Sequence, residues 1–239
     1  MYLQWGYNTE WFTQSDLHFK NPGQYDFVLY KVVAKDRPNI DDVIKEPMQV
    51  TVPQSNYRIG FYLDEHKKHA IEINFDHAKY VMQPNQTLHM QGTLYGRYIN
   101  KDTLVTPYNF LSFEHTNGAN FFHLNYVYQE GLLKHARRNW LRFVGKIGAG
   151  IVVPKTDVYL FGKHLDNKYH VAGYIISAEA GLRYYVLKKL FLESTFKSGF
   201  ANYLNVLTVE GGKSHHYFGY LETIVSIGYD INFVKSPNY

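Results

Sequence analysis

The chain has 239 residues and no cysteine; 45% of it is apolar and 17% aromatic, with 22 Tyr and 16 Phe against 4 Met, a balance that suits pleated surfaces better than helices and excludes disulfides and thiolate metal sites. The net charge of +4 comes from 25 basic residues scattered through turns and loops without a dense run, which argues against a nucleic-acid partner. Mean hydropathy is −0.35 and no window approaches the ~18 consecutive apolar residues of a spanning helix, but strands that cross a bilayer hide their lipid face in alternation and escape that search.

A period of two runs along the whole chain, and a strand half buried against an apolar phase has that period. The first predicted strand, Leu3–Thr13, sets Leu3, Trp5, Tyr7, Thr9 and Trp11 against Gln4, Asn8 and Glu10. The second, Val52–Asp64, sets Tyr57, Ile59, Phe61 and Leu63 against Gln54, Asn56 and Arg58; the turn Glu65–Lys68 leads to a third at His69–Met82, where Ile71, Ile73 and Phe75 alternate with Glu72, Asn74 and Asp76. The fourth spans Phe110–Glu130, with a bulge expected near Asn117-Gly118. After the basic turn Lys134–Arg138, strands follow at Trp140–Val152, Tyr169–Val186, Leu190–Tyr203 and Tyr217–Phe233. In the last, every odd position from Tyr217 to Phe233 is apolar, Gly or Thr, while Glu222, Ser226, Asp230 and Asn232 fall between. About 9–11 tilted residues cross a bilayer core, and these runs are long enough.

Short turns alternate with long connections at Gln14–Thr51, Gln83–Asn109, Val153–Lys168 and Leu204–His216, all at one end of the map. An even strand number with short turns at one end and long loops at the other predicts an all-β, closed, antiparallel eight-stranded transmembrane barrel forming one domain over residues 1–239. The loop 14–51 carries a hairpin of its own, Asp16–Phe19 and Tyr25–Lys35 around Asn21-Pro22-Gly23-Gln24. Counting its two arms as membrane strands gives ten strands as the alternative topology. No charged-then-apolar leader opens the chain, so it is read as a mature protein whose export signal has been removed.

The inward face of this map carries Arg58, Arg142, Lys146, Arg183 and Lys197 with Glu10, Glu72, Asp76, Glu179, Glu193 and Glu222. Eight strands leave an interior just wide enough for side chains to fill, so mixed charge predicts an interlocked polar plug, whereas one sign would have argued for a selective pore.

In architecture the chain resembles the small eight-stranded outer-membrane proteins of Gram-negative bacteria, of the OmpA and OmpX kind, over Leu3–Phe233. The ending Gly228-Tyr229-Asp230-Ile231-Asn232-Phe233 is similar to the aromatic-ended last strand by which barrel-assembly machinery recognises its clients, although Val234–Tyr239 extends past it. The segments Ser15–Lys20, Asp76–Tyr80 and Phe113–Gly118 are similar to stretches of outer-membrane barrels from Bacteroidota-type bacteria. The resemblance implies a location in the bacterial outer membrane and contact with its lipids, including lipopolysaccharide.

Candidate chemistry gathers at the outer ends of the third and fourth strands, where Asp76 and His77 neighbour Glu114, His115, Thr116 and Asn117. His115-Thr116-Asn117 resembles the His-x-Ser-Asn sequence of lipid A deacylases, with the difference that a residue directly after the His points to the opposite strand face unless a bulge turns it. The alternative is that these groups hydrogen-bond the rim and anchor the loop 83–109. No metal site or cofactor is expected: His66 with His69, and His215-His216, are pairs without a third ligand. Gly211-Gly212-Lys213-Ser214 lacks P-loop spacing, and Gly145, Gly148 and Gly150 fit strand curvature. Lys20, Lys31, Lys35, Arg37 and Lys45 suit phosphate groups of lipopolysaccharide.

The leading functional expectation is therefore a non-catalytic structural or interaction protein with a plugged polar interior, presenting its extracellular loops to other outer-membrane proteins as an accessory of a larger complex. The alternatives are a lipid hydrolase or acyltransferase built on His115, and a soluble lipocalin-like carrier with the apolar stripe turned inward.

Overall fold

The computed structural model describes residues 1–38, 54–107, 109–116, 118–133 and 140–231. Lys45, Asn117, the turn 134–138, the end of the aromatic-ended segment at Asn232-Phe233 and the tail 234–239 lie outside the described residues. In chain order the strands are β1 (Tyr2–Phe12), β2 (Ser15–Asn21), β3 (Tyr25–Val32), β4 (Ala34–Lys35), β5 (Ser55–Tyr62), β6 (His69–Asp76), β7 (Tyr80–Met82), β8 (Gln86–Leu94), β9 (Arg97–Val105), β10 (Leu111–His115), β11 (Phe121–Gly131), β12 (Leu141–Val152), β13 (Asp157–Leu160), β14 (Lys163–Asp166), β15 (Gly173–Tyr185), β16 (Leu190–Leu207) and β17 (Lys213–Asp230).

Eight of them close a ring in the order β1-β5-β6-β11-β12-β15-β16-β17, with β17 returning to β1 from Tyr2↔Asp230 to Phe12↔Tyr220. Every neighbouring pair is antiparallel. Closure matters because hydrocarbon offers no water to an unpaired strand edge. At the seam the Met1 ammonium donates to the Ile231 carbonyl at 3.1 Å.

The alternation fixes which face meets lipid. Leu3, Ile59, Ile73, Leu124, Ile147, Ile176, Phe196 and Val225, one from each ring strand, stand exposed on the outside. Between them Arg58, Glu72, Lys146, Glu179, Arg183, Glu193, Lys197 and Glu222 are buried within. A soluble barrel has the reverse arrangement, so the carrier geometry is not the one this chain adopts; an apolar belt around a charged interior is stable only with hydrocarbon outside. Close packing inside requires small residues on some strands. Tyr2 lies across Gly60, where an added Cβ would come within 2.0 Å of its ring, and Phe191 likewise covers Gly228.

Tight turns close one end. At Leu63–Lys68 the Asp64 carboxylate accepts the backbone N–H groups of Lys68 at 3.0 Å and His69 at 2.6 Å. At the other end the long connections fold into strands. β16 and β17 run on beyond the ring, β17 pairs with β2, and the first sheet continues through β3 and β8 to β9. A second sheet, ordered β14-β13-β10-β7-β4, lies opposite. Between the two sheets sits one apolar core that includes Leu17, Phe19, Phe27, Leu29, Met90, Phe113, Val158, Leu160, Tyr203 and Phe218. The barrel thus carries a β-sandwich on its outer rim.

Several expected boundaries change in consequence. The run His69–Met82 is two elements: β6 ends at Asp76 in the barrel wall, and Tyr80–Met82 belongs to the second sheet. Phe110–Glu130 likewise divides into β10 in the cap and β11 in the wall. The connection 83–109 holds the β8–β9 hairpin, and 204–216 holds the outer ends of β16 and β17 around a short 3-10 turn at Val209–Gly211. The ten-strand topology is not adopted, because β2 and β3 attach to β17 above the ring and do not enter it.

Candidate functional site

The lumen is built in layers. At the turn end Tyr2, Ala70, Val127, Val144, Tyr185 and Phe191 form an apolar collar. Arg183 passes through it, its guanidinium 4.5 Å from the Tyr2 ring centre and 4.1 Å from that of Phe191. Below the collar, Asp230 accepts hydrogen bonds from Tyr62 at 2.7 Å, Lys67 at 2.7 Å and Tyr185 at 3.3 Å.

Above the collar the charges interlock across the full width of the barrel. Arg58 donates to Glu179 at 2.7 and 3.2 Å and to Glu193 at 3.5 Å. Lys146 reaches Glu72 at 3.2 Å, Glu179 at 3.2 Å and Glu193 at 2.8 Å. Arg183 closes on Glu193 at 2.6 Å, and Lys197 pairs with Asp76 and, at 3.5 Å, with Glu222. Neutral groups complete the shell: Tyr2 donates to Glu72 at 2.6 Å, Asn125 to Glu72 at 3.1 Å and Thr195 to Glu179 at 2.7 Å. Buried charges persist only when paired and hydrogen-bonded in this way.

Two of the acidic and basic positions read from the alternation lie outside this knot. Arg142 is only partly buried; it sits at the turn-end mouth, donating to the Lys67 carbonyl at 3.3 Å and stacking 5.4 Å from the Tyr185 ring centre. Glu10 lies at the outer end of the lumen, where it takes hydrogen bonds from amides: Gln54 at 2.6 Å, and Asn8. The structure also turns inward Tyr2, Asn74, Asn125, Thr195 and Asp230, polar groups whose even or odd position along each strand already carried the signal.

The residues expected to gather at the outer rim are distributed among different surroundings. Asp76 belongs to the lumen, with Lys197. His77 lies between wall and cap, its ring Nδ1 3.0 Å from Asn120 Oδ1. Glu114 faces outward, accepting from Thr116 Oγ1 at 2.9 Å and Arg37 at 3.2 Å. His115 points the other way and is fully buried, its Nδ1 2.9 Å from Thr156 Oγ1 and its Nε2 3.2 Å from His216 Nε2. Tyr203 stacks on it with ring centres 5.1 Å apart. Burial, with a lesser contribution from His170, pushes the His115 imidazole down to about 3, so it is neutral in this core. Thr116, just past the end of β10, is thus held by Glu114, and His115 by Thr156, and no base-nucleophile pair forms between Thr116 and His115. Among the described residues no three His, Asp or Glu side chains converge where they would hold a metal ion.

No family model matches the chain, and no curated protein matches it in sequence. Among solved structures it is similar to Neisserial surface protein A, at 6% identity over 96% of both chains with a TM-score of 0.42. It is also similar to the outer membrane protein OprG from Pseudomonas aeruginosa, at 10% identity over 97% of this chain and 96% of that one with a TM-score of 0.43. The outer membrane protease OmpT from Escherichia coli gives 8% identity, 96% coverage of each chain and a TM-score of 0.42. Likeness at this level concerns shape alone. The chain is a transmembrane β-barrel of the outer-membrane type on the strength of its own closed ring, its apolar belt and its charged interior.

Proposed function

We propose that this protein is a non-conducting barrel of the Gram-negative outer membrane that anchors a rigid extracellular β-sandwich, and that the sandwich acts as a binding module for other components of the cell surface. The observation that carries this reading is the double seal of the lumen. A knot of four cations and five anions, all essentially inaccessible, fills the cross-section. The apolar core of the cap closes the outer end above it. A solute path would have to break several buried ion pairs and then an apolar plug, each an obstacle of several kcal/mol.

Two features favour the cap as the working part. Its strands are paired and its core is closed, so it presents fixed surfaces where outer-membrane barrels usually carry loops. Exposed basic side chains stand at both ends of the cap: Lys20, 61% exposed and beside Asp26, is level with Lys213 at the outer turn, and Arg37, 55% exposed, lies beside Glu114 nearer the barrel. With Lys31 and Lys35, also exposed, they offer cations to acidic groups of lipopolysaccharide or of a neighbouring outer-membrane protein. A hydrolase centred on His115 gains no support from a ring held in a closed core by Thr156 and His216.

The test is electrical. Purified protein inserted into a planar lipid bilayer is expected to leave conductance at the bare-membrane level at all moderate voltages. A reproducible ohmic step per inserted molecule would overturn the sealed-lumen reading.

A further inference from the structure

Where the cap meets the mouth of the barrel, two carboxyl groups are bridged by one donor. Glu10, near the outer end of β1, and Asp36, just after β4, each place an oxygen 2.6 Å from the same nitrogen, Nε2 of Gln54. Asp36 also accepts the Glu10 backbone N–H at 2.9 Å, the Gln54 amide at 2.6 Å and the Arg37 N–H at 2.8 Å. The Glu10 carboxyl receives the other contacts of Gln54 and that of Asn8. Directly across the barrel seam, Glu222 of β17 is in register with Glu10 and fully buried; its one ion-pair contact among the described residues is Lys197 at 3.5 Å, and neither of its oxygens has a hydrogen-bond partner among them.

Among the described residues no cation neutralises this pair, and neither Glu10 nor Asp36 is in an ion pair. Arg37 is committed to Glu114 at 3.2 Å, and Lys197 to Asp76 and Glu222. Lys35 is exposed, and Lys79, from the segment joining β6 to β7, is buried with contacts of its own. His77, on the same segment, offers Asn8 its carbonyl and turns its ring to Asn120. Two carboxylates this close repel strongly when both are ionised, whereas one proton between them makes a short charge-assisted O–H···O bond.

We infer that Glu10 and Asp36 share one proton, and that this pair is a pH-operated latch fastening the edge of the second sheet to the mouth of the barrel. The segment it holds is strategically placed. Residues 33–38 contain β4, whose Ala34 and Lys35 pair with Met82 and Val81 of β7, and the Val33 N–H donates to Gln86 at 2.9 Å. Release at Asp36 therefore loosens the junction between hairpin, second sheet and barrel together. A groove of about 540 Å³, lined by Thr9, Glu10, Trp11, Phe12, Val33 and Asp36 among others, runs beside the pair.

The direction of the response follows from the chemistry. The folded state holds the shared proton more tightly than separate carboxyls do, and burial raises Asp36 in the same sense. The latch is thus fully engaged at low pH, below the ordinary carboxyl range of about 4, and is lost as pH rises through the pair's own higher value. This device is separate from the sealed lumen: it concerns the cap junction and stands whether or not the barrel conducts.

The experiment uses the full chain in phospholipid nanodiscs with Trp5 and Trp140 replaced by Phe, leaving Trp11, which lines the groove, as the single Trp reporter. Trp11 emission and the rate of tryptic cleavage after Lys35 are followed from acid to alkaline pH. Both are expected to change in one step, the cleavage rate rising by about tenfold per pH unit once the shared proton is leaving. Asp36→Asn supplies an amide donor that needs no proton, so it is expected to stay closed and lose the step; Asp36→Ala is expected to be open throughout. An unchanged step in Asp36→Asn, or an Asp36→Ala variant as closed as the parent at low pH, would overturn the latch. So would closure that follows added Ca²⁺ and reverses with chelator at constant pH, because the carboxyls would then be holding a cation in place of a proton.

Discussion

Replacing Arg58 by Met tests whether the lumen is a dry ion-paired plug. The side chain is fully buried, and its guanidinium holds Glu179 through two contacts at 2.7 and 3.2 Å, Glu193 at 3.5 Å and Asp76 at 4.0 Å. Met fills a similar volume and carries no charge. Its introduction leaves three cations for the same five anions in the knot: Lys146 still reaches Glu179 and Glu193, and Lys197 still reaches Asp76, but no other group replaces the paired contact on Glu179. Removing one partner from a buried pair costs ~3–5 kcal/mol, because the other charge stays behind uncompensated. The second substitution Glu179→Gln takes away that stranded charge while keeping a side chain for Thr195 to bond. The double variant is therefore expected to recover most of the loss, with a coupling of up to ~3 kcal/mol. Urea titrations of the barrel refolded into phospholipid vesicles, read by Trp fluorescence and by the gel-mobility difference between folded and unfolded forms, measure all three free energies. If Arg58→Met costs less than ~1 kcal/mol, the figure typical of solvent-exposed pairs, the interior is wet and the reasoning about a sealed lumen fails.

The lipid-facing assignment predicts that Ile147→Arg, on the outer surface midway along β12 and 63% exposed, destabilises the protein in vesicles by ~2–4 kcal/mol if it lies at the bilayer midplane; a neutral effect would place this face in water. The buried His115 imidazole predicts acid sensitivity of the cap. Its folded-state value of about 3 lies below the ordinary ~6.5, so its contribution is complete above the latter and is lost progressively as pH falls, by ~1.4 kcal/mol per unit. Amide-exchange protection of β10 and β13, compared between the parent and His115→Phe from pH 7 to pH 4, should fall more steeply in the parent than in the variant, where His216, also held neutral by burial, is the remaining titrating imidazole of this core. Lipid A acylation in cells carrying His115→Ala should match that of the parent, and an altered acyl pattern would restore the hydrolase reading.

The barrel was legible in the chain because its physics is local. A strand with lipid on one side and a lumen on the other must alternate, and the odd and even positions of β12, β15 and β17 alone put Phe143, Leu182 and Ile227 outside and Lys146, Glu179 and Glu222 inside. The same rule covers inward groups that a charge count passes over, Tyr2, Asn125 and Thr195 among them. Two of the cap hairpins also left a trace: Tyr95-Gly96 and Phe161-Gly162 both have positive φ at both residues, as two-residue hairpin turns require. Each is a residue-Gly pair flanked by alternating runs, in stretches read only as long loops.

What periodicity could not supply is which strand ends bend away from the wall. Nothing within β6 and β7 distinguishes a continuous strand through Met82 from one that leaves the barrel at Asp76 and re-forms in another sheet, because both faces of such a run are buried once the cap exists. His115 shows the consequence: in sequence it is a rim histidine beside Thr116, and in the fold it belongs to a core assembled from β10, β16, β17 and residue 156, as many as 101 positions apart. The sequence determined the ring, its lipid face and the balance of its buried charge, since those depend on neighbours two residues away. Only the tertiary structure decided how the cations and anions pair, how the loops close over them, and that Glu10 meets Asp36, since those contacts depend on distances set by the closed barrel.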